Sequence, residues 1–322
     1  CWNPRLSTIL IALSLGACTS LPDVSDRASS AALERNQHTR LARSVQPLVA
    51  AHPGLSGSYL LPGGEDAFAA RLVLADAAER SLDVQYYIWK NDMTGKLLAE
   101  RLLRAADRGV RVRVLIDDVG SNPNDRNLLA LDSHPNLEMR LFNPVMLRKP
   151  KLLGMILEFG RINRRMHNKS FTADGQVTII GGRNIGDEYF AADQEMNFAD
   201  LDVALVGPAV REVSTAFDLY WNHQSAIGVS NLSRKRATET DLAALRTELA
   251  AHRKDQEDGP YAERVRNSVF AGHVKSRVPF RWSVARIVYD HPDKVATSAR
   301  NTDTHMAPAL RAEAAEAKEE LF

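Results

Sequence analysis

Apolar positions along this chain recur with two different periods. From Asp66 to Arg80, the residues Phe68, Leu72, Ala75 and Ala78 or Glu79 fall at helical spacing, with Asp66 placed to cap the helix. Leu82 to Ile88 alternates instead, which predicts a strand, because side chains along extended backbone point to opposite faces in turn. The helical period returns after a capping Thr94 through Leu97, Leu98, Leu102 and Ala105, and Gly109 stands where a helix would end in a left-handed residue. Val110 to Ile116 predicts another strand, with Asp117-Asp118 at its C-terminal end, and Leu137 to Phe142 one more. Strand, helix and strand in succession make a β-α-β unit, and open α/β sheets bind ligands beyond the C-terminal ends of such strands. The expected class is α/β, with layers of helix on a central sheet.

The pattern continues downstream. Leu201 to Pro208 reads as a strand running into a turn, and Pro208 to Asn222 as a helix with Val210, Val213, Phe217 and Tyr220 or Trp221 on one face. Thr240-Asp241 starts an amphipathic helix through Leu242, Leu245 and Leu249. Trp282 to Tyr289 fits a strand, and Ala307 to Leu321 a last helical run. Upstream of the folded part, which begins near Tyr59, Thr19 to about Gly57 is polar and holds Pro22, Pro47 and Pro53. It reads as a tether with one helix, Ser29 to Val45. Met146 to Arg165 differs from its surroundings. It mixes Arg148, Lys149, Lys151, Arg161, Arg164 and Arg165 with a run of leucines, isoleucine, methionines and Phe159, and Glu158 is its only acid. Such a segment suits an anionic membrane surface; the alternative is a core helix with a solvated basic face.

Composition narrows the picture little. The 322 residues suffice for one large α/β domain with appendages, and a net charge of +1 argues against a protein that coats nucleic acid. The two cysteines, Cys1 and Cys18, can build neither a disulfide framework nor a zinc cluster. Leu6 to Ala17 is too short for a comfortable membrane span and fits a signal-peptide core. Its end, Leu15-Gly16-Ala17-Cys18, resembles a bacterial lipobox, which implies cleavage before Cys18, lipidation of its thiol and a membrane-anchored lipoprotein of the bacterial cell envelope.

The candidate chemistry lies in Met166 to Asp174 and Ile180 to Asn184. As a short strand, the first stretch would put His167, Lys169 and Phe171 on one face, with imidazole and ammonium bases roughly 6.5 Å apart, close enough to share a phosphate. Asp174-Gly175 is a turn signal, Val177 to Ile180 returns as a buried strand, and Gly181-Gly182 lets the backbone approach another group closely. These residues spell His-x-Lys-x-x-x-x-Asp with a Gly-Gly-x-Asn tail, followed by Ile185-Gly186-Asp187-Glu188-Tyr189. The stretch resembles the signature of the phospholipase D superfamily, and its wording is most similar to bacterial cardiolipin-synthase-like members.

The resemblance implies a phospholipase D-like α-β-α domain with a mixed central sheet. It implies that His167 attacks phosphorus and carries a phosphohistidine intermediate, while Lys169 and Asn184 stabilise charge on the phosphoryl oxygens. Asp200 is the candidate for the acid that orients the imidazole, with Asp202 second; Asp174 holds the turn, and Gly181 and Gly182 line the substrate. No cofactor is implied and no metal is suggested, since no second histidine lies at ligand spacing with His167. Asp117-Asp118 reads as a strand-end turn rather than a metal pair, and Gly181-Gly182-Arg183-Asn184 lacks the third glycine of a dinucleotide site.

Superfamily enzymes face two such motifs, one histidine attacking and the other protonating the leaving oxygen. This chain holds one motif, since His291-Pro292-Asp293-Lys294 has the wrong spacing. Either a second half is missing, which the abrupt end at Leu321-Phe322 favours, or two chains pair across a twofold axis. The expected plan is a lipoprotein-type signal peptide over 1–17 and a tether over 18–57. A phospholipase D-like domain follows over 58–230, then a helical extension leading into the missing half over 231–322. The expected activity is phosphatidyl transfer at a membrane surface, on phospholipid rather than nucleic acid. The alternatives are a metal-independent homodimeric phosphodiesterase or nuclease, and a non-catalytic membrane-tethered half-domain.

Overall fold

Strands that are apolar on both faces must be covered by helices on both sides. The computed structural model describes residues 21–34, 37–121, 125–193, 195–233, 235–275, 277–295 and 304–316, with Lys275 described by its backbone alone. The expected signal peptide and Cys18 lie outside these residues. The strands are β1 (Ser56–Leu61), β2 (Ser81–Tyr86), β3 (Arg111–Asp117), β4 (Leu137–Phe142), β5 (Ser170–Ala173), β6 (Val177–Gly181), β7 (Asp202–Val206), β8 (Ala226–Gly228) and β9 (Arg281–Ser283). They form one sheet in the order β8-β4-β3-β2-β5-β6-β7-β1-β9. β2, β3 and β4 are parallel to one another, and the other neighbours pair antiparallel. The helices used below are α1 (Arg40–Ala50), α2 (Gly64–Ala77), α3 (Met93–Asp107), α4 (Asp125–Asp132), α5 (Lys151–Leu157), α6 (Phe159–Ile162), α7 (Pro208–Asn222), α8 (Glu239–Gln256), α9 (Pro260–Arg266), α10 (Val269–Lys275) and α11 (Ala307–Ala315).

The alternation in β3 sorts its residues between two cores. Val112, Val114 and Ile116 join Phe68 and Leu74 of α2 and Leu98 and Leu102 of α3 on one face. Leu115 packs on the other with Phe142 and with Phe217, Tyr220 and Trp221 of α7. The mixed sheet and its helical layers are those expected. Arg113 shares the α7 face; it is buried, pairs with Asp83 at 2.7 Å and Asp218 at 2.8 Å, and lies 4.8 Å from the Phe217 ring centroid. Burial of that charge is compensated twice over by carboxylates.

Several boundaries differ from the sequence pattern. α2 is capped by the backbone at Gly63, not by Asp66, whose carboxylate instead accepts the Phe270 N–H at 2.7 Å and ties α10 to α2. Asp92 rather than Thr94 caps α3, its Oδ1 accepting from Gly95 at 3.0 Å. The helix expected over Ser29 to Val45 is replaced by α1, capped by Thr39. Residues 21–34 are not a free tether. Arg27 donates to the carbonyls of Ala226, Asn222 and His223, and the Ser30 carbonyl accepts from Asn222 and Arg113. Polar composition misled here because these polar groups are spent on the domain's edge. Leu41 and Val45 of α1 enter the main core.

The extension is equally integrated. Leu245 and Leu249 of α8 and Tyr261 and Val265 of α9 belong to the same core, and β9, shorter than the strand expected there, pairs with β1. Among the described residues, no helix is long and apolar enough to cross a membrane.

Candidate functional site

β5 is paired on both sides, to β2 through Gln85–Ser170 and to β6 through Ser170–Ile180. Both ladders stop there, because β2 ends at Tyr86 and β6 at Gly181. The strand therefore begins at Ser170, and not at His167 as the alternation suggested. His167 and Lys169 lie on extended chain just outside the sheet, at the end shared with the C-termini of β2 and β3. That is the end where an open sheet presents its ligand loops.

Three candidate side chains lie at this end of the sheet. The His167 ring is exposed and tilts against Tyr87, centroid to centroid 4.4 Å. Lys169 is 9% exposed; its ammonium donates to the His167 carbonyl at 2.8 Å and lies 5.7 Å from the Tyr87 ring centroid. Asn184 is buried and its Oδ1 accepts the Ile88 N–H at 3.0 Å, so its amide nitrogen is the end left to donate. An imidazole, an ammonium and an amide donor at the same end of the sheet are the groups that a receptor for a tetrahedral anion with a nucleophile beside it would need.

The electrostatics suit that chemistry. Partial burial holds the His167 imidazole below its ordinary range, and the charges of Lys169 and Lys294 push it further down. Burial lowers the Lys169 ammonium to about 8 against the pull of Asp200 and Asp202. At neutral pH the ring thus keeps a free lone pair beside a charged ammonium.

The neighbouring carboxylates have other duties. Asp200 acts on Lys169, and among the described contacts no hydrogen bond joins it to His167, where the expected orienting acid would stand. The glycines serve these acids: a Cβ on Gly182 would lie 2.2 Å from Asp200 Oδ1, and one on Gly181 2.1 Å from Asp202 Oδ1. The close approach read from Gly181-Gly182 is therefore first to carboxylates. Asp174 sits at the far end of β5, away from His167. It takes a φ of +52° and Gly175 one of +62°, closing the expected turn, and its carboxylate accepts the N–H groups of Glu79, Arg80 and Ser81.

Sequence reasoning missed three contributors. Asp117 does turn the strand end, accepting from Val119 and Gly120, but it also accepts the Met166 N–H at 3.2 Å and pairs with Arg165 at 3.0 Å. It clamps the residue before the nucleophile candidate. Burial pushes its carboxyl up to about 6, opposed by Arg165. Tyr87 was legible only as a position within the strand expected over Leu82 to Ile88, because the Gln85–Ser170 register that sets it beside His167, just past the observed end of β2, is not written locally. Lys294 lies 127 positions after His167 in the chain (294 − 167), in the short turn Pro292–Val295. Replacing it by glutamine is expected to raise the His167 titration midpoint in an NMR pH series, since one cation fewer favours imidazolium; an unmoved or lowered midpoint would contradict this placement.

Residues 72–221 match the family model described as "Cardiolipin synthase, PLD-like domain". The chain is 48% identical over 257 residues to cardiolipin synthase C of Escherichia coli, covering 79% of this chain and 54% of that protein. It is 31% identical over 171 residues to a cardiolipin synthase of Oceanobacillus iheyensis, covering 53% of this chain and 34% of that one. Among solved structures, NucT from Helicobacter pylori matches with a TM-score of 0.40 at 17% identity, over 54% of this chain and 98% of its own. The chain spans about half the length, 54%, of the first of these curated relatives.

Proposed function

Because the chain belongs to the phospholipase D superfamily and is cardiolipin-synthase-like, we propose that it supplies one half of a site for phosphatidyl transfer between phospholipids. The observation that carries this reading is the exposed His167 ring beside the Lys169 ammonium and the Asn184 amide, at the ligand end of the sheet. A ring nitrogen of His167 attacks the phosphorus of a donor phospholipid, the phosphorus–headgroup oxygen bond breaks, and the departing alkoxide takes a proton from a general acid. An acceptor alcohol then attacks the phosphohistidine, loses its proton to the same group and frees the imidazole. Lys169 and Asn184 stabilise the negative charge that collects on the phosphoryl oxygens.

The general acid in this proposal is a second histidine, from a second half or a second copy of the chain. Such an arrangement fits a chain that spans about half of its first relative, 54%. Asp200 keeps Lys169 charged rather than bonding His167. A lipidated Cys18 would hold the assembly at the cell envelope.

Incubation with phosphatidylglycerol labelled at phosphorus, followed by alkaline gel electrophoresis, tests the reading. An alkali-stable, acid-labile label on His167 is expected, and its absence from the chain both alone and with a second half would overturn it. The pH profile has a predicted shape. Activity rises as His167 loses its proton at a midpoint below 6.5, and falls again as Lys169 loses its own near 8. A profile still rising well above that alkaline midpoint would exclude the Lys169 ammonium as a participant.

A further inference from the structure

The segment between β4 and β5 is built inside out. Glu158, 4% exposed, accepts the N–H groups of Met146 and Leu147 and pairs with Arg161. Arg148 and Lys151 reach back to Asp118 at 2.6 and 3.0 Å. Polar groups thus staple α5 and α6 to the end of β3. What they leave outward is apolar: Leu152 is 70% exposed, Ile156 66% and Phe159 64%, with Leu153 and Leu157 also exposed. α5 buries only Gly154, where a Cβ would come within 2.6 Å of Val145. The helix therefore lies flat on the chain beneath it. A helix serving the core would point its leucines inward, so the core-helix alternative does not describe α5. An exposed apolar cluster of this size is made for an apolar neighbour.

We propose that α5 and α6 insert the Leu152, Ile156 and Phe159 face into the acyl layer of an anionic phospholipid bilayer, setting His167 at the depth of the headgroups. The inference rests on the phospholipid reading of the site. Two features select a bilayer over a protein partner. Exposed Lys149 at the start of α5 and half-buried Arg164 just after α6 place cations at both ends of the apolar face, as a headgroup layer around an apolar insertion requires. Phe159 also stands only eight positions before the exposed His167 in the chain, so lipid held on this face is kept close to the nucleophile.

The test uses the full chain and vesicles of phosphatidylglycerol and phosphatidylethanolamine. Ile156→Trp should show quenching by lipids brominated on the acyl chains, read as the difference from the parent chain. The triple change Leu152→Ser, Ile156→Ser and Phe159→Ser should weaken vesicle partition by about tenfold or more at an unchanged urea midpoint. His167→Ala should leave both readings as in the parent, so a chain that inserts without turnover counts against the chemistry and not against insertion. An unquenched indole at 156 would overturn the proposal. So would a triple variant that partitions like the parent while converting a dimer to a monomer in sedimentation, since the face would then belong to a second copy.

Discussion

His167→Ala is expected to abolish covalent labelling and to lower any turnover of the assembled site by about 10⁴-fold or more, the scale on which loss of a covalent nucleophile is felt. The size of the effect follows from the lack of a substitute. Lys169 is the nearest amine, but its ammonium is committed to the His167 carbonyl at 2.8 Å and remains charged below about 8, so it has no lone pair to offer at neutral pH. Tyr87 carries a hydroxyl on the ring that touches His167, but burial raises its phenol above the ordinary range, which weakens it as a nucleophile. The residue is exposed and its ring contact is to Tyr87 at 4.4 Å, so the variant should unfold close to the parent's urea concentration. Turnover within tenfold of the parent would remove His167 from the reaction.

Asp202→Ala should be the most damaging single change to the fold. Asp202 is fully buried and pairs at 2.8 Å with Arg71, itself 1% exposed, while its other oxygen accepts the Arg183 N–H at 3.2 Å. Arg71 also donates to the Tyr86 hydroxyl at 2.8 Å, and its charged form is strongly favoured by these partners. Removing the carboxylate strands a guanidinium away from water, at a cost of about 3–5 kcal/mol. That is a large part of the roughly 5–15 kcal/mol that holds a domain together. The urea midpoint should fall accordingly, and the paired change Asp202→Leu with Arg71→Met should recover part of it, because the Arg71 charge is removed with the carboxylate, while the buried Arg183, 3.9 Å from Asp202, keeps its carbonyl acceptors on Leu61, Pro62 and Tyr189. A midpoint unchanged in the single variant would mean that the buried pair contributes nothing.

The local parts of this design were readable in the residues. Asp174-Gly175 needed only its own backbone preference to declare a turn, and Gly109 takes the left-handed conformation, φ +88°, expected after a helix. The α/β alternation named the layers because each strand and helix carries its own period. What escaped was set by contacts distant in the chain. Asp66 had the chemistry of a cap but was claimed by Phe270, 204 residues away. The polar stretch around Ser30 resembled a tether because its partners, Asn222 and Arg113, lie far along the sequence. Tyr87 and Lys294 reach the site through strand register and a returning turn, and no window of local sequence records either.

Asp174, although spelled within the motif, turns its carboxylate on the N–H groups of Glu79, Arg80 and Ser81 and so fastens the junction between α2 and β2. The two ends of the motif consequently carry different information. A degenerate relative that has lost its histidine but retains this aspartate would still assemble the sheet and merely fall silent, whereas one that has lost the aspartate alone would keep its nucleophile on a weakened scaffold. Counting motif letters without distinguishing them would confuse a dead enzyme with an unstable one.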